Sequence, residues 1–176
     1  GSKSFSSILL KFVDENYKPV KRDLFSVFMQ KSLEMTKEKK YTSLITPESW
    51  MFLVSGDLIR KKILEETTIC TLLHLGDNFF NVGFGVASYT LKKGKNDLYR
   101  GIFYDLRKAD QEEKENEFFE IEPNKIEQKY FFKLKGFQIA YWMSHKILNI
   151  FENNVLVESV ASPRQGMTTS DNNRFL

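Results

Sequence analysis

Cysteine and histidine, the side chains most often used as nucleophiles, bases and metal ligands, are scarce in this sequence. There is one cysteine, Cys70, and the two histidines, His74 and His145, are too widely separated for a common metal-binding pair motif. His74 and Cys70 both lie in the apolar run "TTICTLLHL", where a core histidine with one hydrogen bond and a small buried thiol are the favoured interpretations. His145 is expected on a helix surface. We therefore predict neither a metal site nor a catalytic residue in this chain.

One loop, "GDNFFNVGFG", combines three glycines with three phenylalanines. It resembles a phosphate cradle, but its glycine spacing matches neither the dinucleotide-binding nor the P-loop fingerprint. Exposed aromatic rings in such a loop could stack on a flat nucleobase. From the pattern alone, core packing is the favoured interpretation for most of these rings.

Composition indicates a folded, globular chain. Apolar residues make up 41% and charged residues 28% of the chain. Its length of 176 residues is enough for one domain, or for one domain and the beginning of a second. The net charge of +3 permits a nucleic-acid partner without requiring one. No apolar run reaches membrane-spanning length, and the single cysteine fits a reducing cytoplasm, so we expect a cytoplasmic protein with no membrane partner.

The first half of the chain alternates between helix and strand patterns. Helical spacing covers residues 5–14 and resumes after Asp23, a suitable N-cap, before the β-rich run "YTSLIT". A third helix follows in "SGDLIRKKILEE", with Ser55 or Asp57 as its cap, and leads into "TTICTLLHL", a run typical of a strand that is buried on both faces. This order predicts a parallel α/β sheet.

The second half has weaker patterns. "VASYTLKKG" alternates as a strand does, and a hairpin turn at "KKGKNDLY" would lead into "RGIFYDLR". The acidic residues that follow are expected to form a solvated helix or loop, and helical spacing returns in "IAYWMSHKILNIFENN". The last stretch, "SPRQGMTTSDNNRFL", has the composition of an ordered functional loop.

Several blocks of the sequence, in the same order, resemble one protein family. They are "DLFSVFMQKSLEMTKEKKYTSLITPESWMFLVSGDLIRKKIL", "TICTLLHLGDNFF", "GVASYTL", "IAYWMSH" and "SPRQGMTTSDNNRFL". Together they resemble the adenine-specific DNA methyltransferases of the BREX phage-defence systems, the PglX family, from about Phe5 to Leu176.

The resemblance implies a class I, S-adenosylmethionine-dependent N6-adenine methyltransferase. Such enzymes carry the cofactor on a glycine-rich turn and hold the flipped adenine with an Asn-Pro-Pro-Tyr-type motif. The chain contains no Pro-Pro pair and no acidic-Gly-x-Gly turn after an opening strand. We therefore expect an inactive fragment that binds no S-adenosylmethionine by itself, although the parent enzyme uses it.

The implied fold class is α/β: the second half of the methyltransferase sheet, from the fifth to the seventh strand. This sheet would be mixed and mostly parallel, with its last strand antiparallel. Residues 3–106 would form this half of the core, and residues 107–176 would form linker helices and the start of a target recognition region.

The resemblance also implies site residues. An aromatic residue before the seventh strand stacks on the extruded base in this family, and Phe79 or Phe80 matches it; the alignment does not choose between them. Pro47, Glu48 and Ser49 would lie at the edge of the active-site cleft. Taken alone, Glu48 is better explained as a carboxylate at the start of a helix. DNA contacts are expected from the terminal loop, and an Asx-rich structural turn is an equally weighted alternative there. The residues concerned are Arg164, Gln165, Thr168, Thr169, Asn172 and Asn173.

The partners implied for the parent enzyme are double-stranded DNA and other phage-defence proteins. If "YTSLIT" forms an uncovered sheet edge, we expect either a dimer through that edge or the N-terminal helix folded over it. The alternative function is a non-catalytic DNA-binding or protein-interaction module, suggested by "KYFFKLKGF" with its alternating lysines and aromatics.

Overall fold

The fold is a five-stranded mixed sheet with helices packed against it. The computed structural model describes residues 2–77, 79–155 and 157–162. The strands are β1 (Tyr41–Pro47), β2 (Thr67–Gly76), β3 (Val86–Lys93), β4 (Arg100–Asp105) and β5 (Asn124–Glu127), arranged in the order β1-β3-β2-β4-β5. The class is therefore α/β, as expected.

The sheet is less parallel than the sequence predicted. Of the four strand pairings among the described residues, only β2 with β4 is parallel, and the other three are antiparallel. The antiparallel β3 lies between β1 and β2, which therefore run in the same direction without touching. The expectation of a mostly parallel sheet was wrong for this segment. Parallel neighbours require long crossover connections, usually with a helix. Among the strand connections described, only the one from β1 to β2 carries a helix of 10 residues.

The predicted hairpin between β3 and β4 is also wrong. Both edges of β3 are already paired, with β1 on one side and β2 on the other. The chain therefore passes to the far side of β2, where β4 pairs with it in parallel from Thr71 opposite Ile102 to His74 opposite Asp105.

Six α-helices accompany the sheet in the described part of the chain. Their bounds are α1 (Ser7–Asn16), α2 (Leu24–Met35), α3 (Asp57–Glu66), α4 (Lys114–Glu120), α5 (His145–Asn153) and α6 (Val157–Val160). Asp23 occupies the N-cap position of α2, as predicted, and its carbonyl accepts a hydrogen bond from the Ser26 N–H at 3.1 Å. The third helix begins at Asp57, and its N-cap is Gly56, which lies between the two predicted caps.

The buried faces of these helices differ in part from those that the apolar spacing of the sequence predicts, which are Leu24, Phe25, Phe28 and Met35 in α2 and Leu58, Ile59, Ile63 and Leu64 in α3. Phe28 and Met35 of α2 are 61% and 73% exposed, whereas Met29 and Leu33 are buried. In α3, Leu58 is half exposed and Arg60 is buried instead. The Arg60 guanidinium donates to the carbonyls of Trp50 and Leu53 at 2.6 and 2.7 Å, so a charged residue holds a position that the pattern would give to an apolar one.

Segments after β4 join the same core. Phe131 and Tyr141 pack in the hydrophobic cluster that contains Trp50, Ile63 and Leu72. The helix predicted from Ile139 begins only at His145, because Ile139 and Tyr141 are needed as buried core residues. In the described part of the chain, no helix combines the length and the apolar composition that a membrane span requires.

Candidate functional site

Polar side chains from three strands meet at one edge of the sheet. The strands β1, β2 and β4 all run in the same direction, and their carboxyl ends bring together Glu48, His74 and Asp105. Open α/β sheets bind their ligands at this edge. The sheet therefore places a polar cluster where a ligand site is expected.

His74 is the centre of this cluster and is completely buried. Its Nε2 atom lies 2.6 Å from Oε2 of Glu48, and its Nδ1 atom lies 2.9 Å from the hydroxyl of Tyr141. The sequence interpretation of a core histidine is correct, but the expected single hydrogen bond was wrong, because partners from two distant segments reach both ring nitrogens.

Burial determines the protonation of the imidazole, and the two partners determine its tautomer. Burial lowers the pKa of His74 below its ordinary value, and the positive charge of Arg107 acts in the same direction, while the carboxylate of Glu48 opposes both. In the neutral ring, Nε2–H donates to Glu48 and Nδ1 accepts from the Tyr141 hydroxyl. Desolvation also raises the pKa of Tyr141 strongly, which keeps its hydroxyl a donor.

A charged pair borders the histidine on the β4 side. The Arg107 guanidinium donates two hydrogen bonds to the Asp105 carboxylate, at 2.8 and 2.7 Å, and these bonds lower the pKa of Asp105. The same guanidinium lies 4.8 Å from the ring centroid of Trp142. The pair is thus held on two sides in one orientation.

A cavity of about 270 Å³ opens beside these groups, and Glu48 and Arg107 line it. Lys114 lines it as well, but its ammonium is buried and donates to the carbonyls of Leu106 and Ala109 at 2.7 and 2.6 Å. The cavity therefore offers both signs of charge to a polar ligand.

The aromatic loop, defined here as residues 76–85 with Asn78 outside the described part, borders the same edge. Phe79 is half-buried against the small cluster of Leu75, Val86 and Leu106, whereas Phe80 is 60% exposed with φ of 59°. The two rings meet edge to face at 4.5 Å. Both predicted stacking residues thus lie together on this loop.

The three predicted cleft residues follow one another at the end of β1. Pro47 is the last residue of the strand, and Glu48 begins a 3₁₀ turn over Glu48–Met51. Glu48 therefore has the helix-start position that the sequence indicated, and it also binds His74. Ser49 lines a separate cavity of about 330 Å³ together with Trp50 and Asp57.

The predicted DNA-contact residues of the terminal loop, from Arg164 to Asn173, lie outside the described residues. No group of three or more metal-ligating side chains capable of holding an ion occurs among residues that the structure describes.

Sequence reasoning missed Tyr141, Asp105 and Arg107 as members of the cluster. The motif "YDLR" at the end of a strand, polar after an apolar run, could have drawn attention to Asp105 and Arg107. Tyr141 carried no such signal, since it reaches His74 only through the fold.

The chain is similar to known methylases and methyltransferases. Residues 1–80 match the family described as Eco57I restriction-modification methylase. The whole chain is 32% identical to the adenine-specific methyltransferase PglX of Lacticaseibacillus casei (strain Zhang), covering 16% of that protein. Over 86% of the chain it is 29% identical to the adenine-specific methyltransferase BrxX of Escherichia coli O9:H4 (strain HS), covering 13% of that protein.

These relationships confirm the resemblance seen in the sequence. The chain belongs to the BREX-type adenine-specific methyltransferase family that PglX and BrxX represent. It spans less than a fifth of the length of either relative.

Proposed function

We propose that this chain forms the substrate-base side of the cleft in an N6-adenine-specific DNA methyltransferase of a phage-defence or restriction-modification system, and leads into DNA target recognition. The parent enzyme would transfer a methyl group from S-adenosylmethionine to adenine in double-stranded DNA. The observation that carries the proposal is the relationship to PglX along the whole chain, which includes the aromatic loop beside the carboxyl ends of the parallel strands.

The division of labour follows from the residues present. The aromatic loop offers rings for stacking, and base–aromatic stacking contributes roughly 1–3 kcal/mol per base. The cofactor turn and the Asn-Pro-Pro-Tyr-type motif are not in this sequence, so the parent enzyme would supply both from other segments. The isolated chain would be catalytically inactive.

The proposed division at residues 106 and 107 stays a prediction. The second segment contributes Phe131 and Tyr141 to the main core, so a lead-in to target recognition would begin from a well-anchored base. Contacts from Arg164 and its neighbours to DNA, a cytoplasmic location and association with other phage-defence proteins belong to the same proposal. So does a dimer through β1, which lies at the sheet edge with Tyr41 and Ile45 60% and 51% exposed.

Single substitutions in the full-length enzyme test the stacking role and choose between the two rings. We expect Phe79→Ala or Phe80→Ala to lower kcat/KM for unmethylated bacterial DNA about tenfold, with unchanged affinity for S-adenosylmethionine. Phe119→Ala is the matched control, since that ring is 77% exposed on α4. Wild-type rates in both loop variants and in their double variant would contradict the stacking role.

A non-catalytic DNA-binding module is the second candidate. It is favoured by Tyr130, whose ring lies 5.5 Å from the ammonium of Lys129 and 5.2 Å from that of Lys133, a basic-aromatic arrangement that single-stranded and duplex DNA both accept. A filter-binding titration with the isolated chain distinguishes the two: a steep loss of affinity as salt rises would support the module, and no binding at low salt would exclude it.

A further inference from the structure

Both ends of the aromatic loop are set by close contacts with the polar cluster. A Cβ atom built on Gly85 would lie 2.2 Å from Cδ of Glu48, and one built on Gly76, which has φ of +74°, would lie 3.1 Å from Cα of Arg107. Only glycine permits these approaches without displacing a neighbour. The loop therefore begins against Arg107 and ends against Glu48.

Glu48 contacts the loop through its main chain as well as its side chain. Its backbone N–H donates to the carbonyl of Gly85 at 2.8 Å. Its carboxylate occupies the space that a side chain on the same glycine would need, and it accepts the hydrogen bond from His74. A movement of Glu48 would therefore shift the end of the aromatic loop directly.

His74 has no free nitrogen with which to reach a substrate. One ring nitrogen binds Glu48 and the other binds Tyr141, and the side chain is fully buried. Tyr141 is anchored in turn by stacking on Phe103 at 5.2 Å between ring centroids. The hydrogen-bonded chain thus runs from the hydrophobic core through Tyr141 and His74 to Glu48.

We infer that Glu48 and His74 are positioning residues, which hold the aromatic loop at the height where its phenylalanine rings receive the extruded base. This inference rests on the proposed function. It gives a role to a buried acid–histidine pair that otherwise resembles part of a catalytic relay, and it accounts for the glycine at position 85.

The test compares Glu48→Ala with Glu48→Gln in the full-length enzyme. The glutamine side-chain oxygen can still accept from His74 Nε2–H, whereas alanine leaves that donor without its partner. We expect Glu48→Ala to lower kcat/KM for unmethylated bacterial DNA about tenfold, as for loss of a stacked ring, and Glu48→Gln to retain most of the rate. S-adenosylmethionine affinity should stay unchanged in both variants.

Hydrogen exchange of the loop amides provides a readout that a general loss of stability would not imitate. Faster exchange in Glu48→Ala should be confined to residues 79–85 and should be absent in Glu48→Gln. Equal exchange in the wild type and in Glu48→Ala would overturn the inference.

A double-mutant cycle tests the positioning role of Glu48 separately from the stacking role of the phenylalanine rings. If Glu48 acts through the loop, Glu48→Ala should change the rate less than twofold in a Phe79→Ala/Phe80→Ala background. A full tenfold loss in that background would mean that Glu48 acts on the substrate directly, and the inference would fail while the stacking role stands. Wild-type activity of the phenylalanine double variant would remove the stacking role, and the inference with it.

Discussion

At the scale of single residues, burial and partner geometry determine what each group of the cluster can do. His74 is held neutral because desolvation outweighs the attraction of Glu48. The neutral ring links Glu48 to Tyr141 through two hydrogen bonds and adds no charge to the cluster. Asp105 stays ionised beside Arg107. The Asp105–Arg107 pair therefore stays charged near neutral pH, while the imidazole beside it is uncharged.

The lowered pKa of His74 predicts a pH dependence of stability. In the unfolded chain the imidazole binds a proton near its ordinary pKa of 6.5, whereas the folded chain binds it only at lower pH. The unfolded state therefore gains protons first as the pH falls below 6.5, and stability is lost at up to about 1.4 kcal/mol per pH unit until the folded pKa is reached.

Urea unfolding at pH 7.5 and 5.5 measures this loss. The difference between the two pH values should be smaller in His74→Gln than in the wild type, whereas the control His145→Gln should keep the wild-type difference. A His74→Gln variant with an undiminished difference would show that the proton is taken up elsewhere.

At the scale of elements, the two glycines near the end of the aromatic loop make a matched pair for substitution. Alanine at position 85 would push the Glu48 carboxylate away from His74, and the buried imidazole donor left behind costs about 1–3 kcal/mol. A Cβ atom at Gly83 would meet nothing within 4 Å. Gly83→Ala should therefore change the free energy of unfolding by less than about 0.5 kcal/mol.

Denaturant titration of the two alanine variants tests this expectation, and the Glu48→Ala/Gly85→Ala double variant serves as the control. Once the carboxylate is gone, Gly85→Ala should cost little more. Equal stability of Gly83→Ala and Gly85→Ala would contradict the packing of Glu48 against the loop.

The elements themselves were largely predictable, and their pairing was not. Hydrophobic spacing located α2, α3, β1 and β2, because these patterns are local. The insertion of β3 between β1 and β2 depends on which strand edges remain free in the whole sheet. β5 was missed because only four residues form it, in a segment with no clear alternation.

The site was predictable to a similar extent. Glu48 and the pair Phe79 and Phe80 were predicted through the family resemblance, since they follow recognisable strands. The structure brings them to the same edge of the sheet, and their roles stay a prediction. The link from Glu48 through His74 to Tyr141 spans segments separated by 26 and 67 positions. No local pattern reports such a contact, so it appears only in the folded chain.

At the scale of the whole molecule, we predict that this chain does not bind the methyl donor alone. The glycine-rich cofactor turn of such enzymes is not in its sequence. Titration calorimetry with S-adenosylmethionine should give no heat of binding. Tight, stoichiometric binding would mean that a cofactor site lies within the chain.

The most direct test of the central claim is the N6-methyladenine content of DNA from cells that express the full-length enzyme, measured by mass spectrometry. We expect clear N6-methyladenine with the wild type and with Phe119→Ala, and a level near background with the Phe79→Ala/Phe80→Ala double variant. Absence of N6-methyladenine with the wild type, or an undiminished level with the double variant, would contradict it.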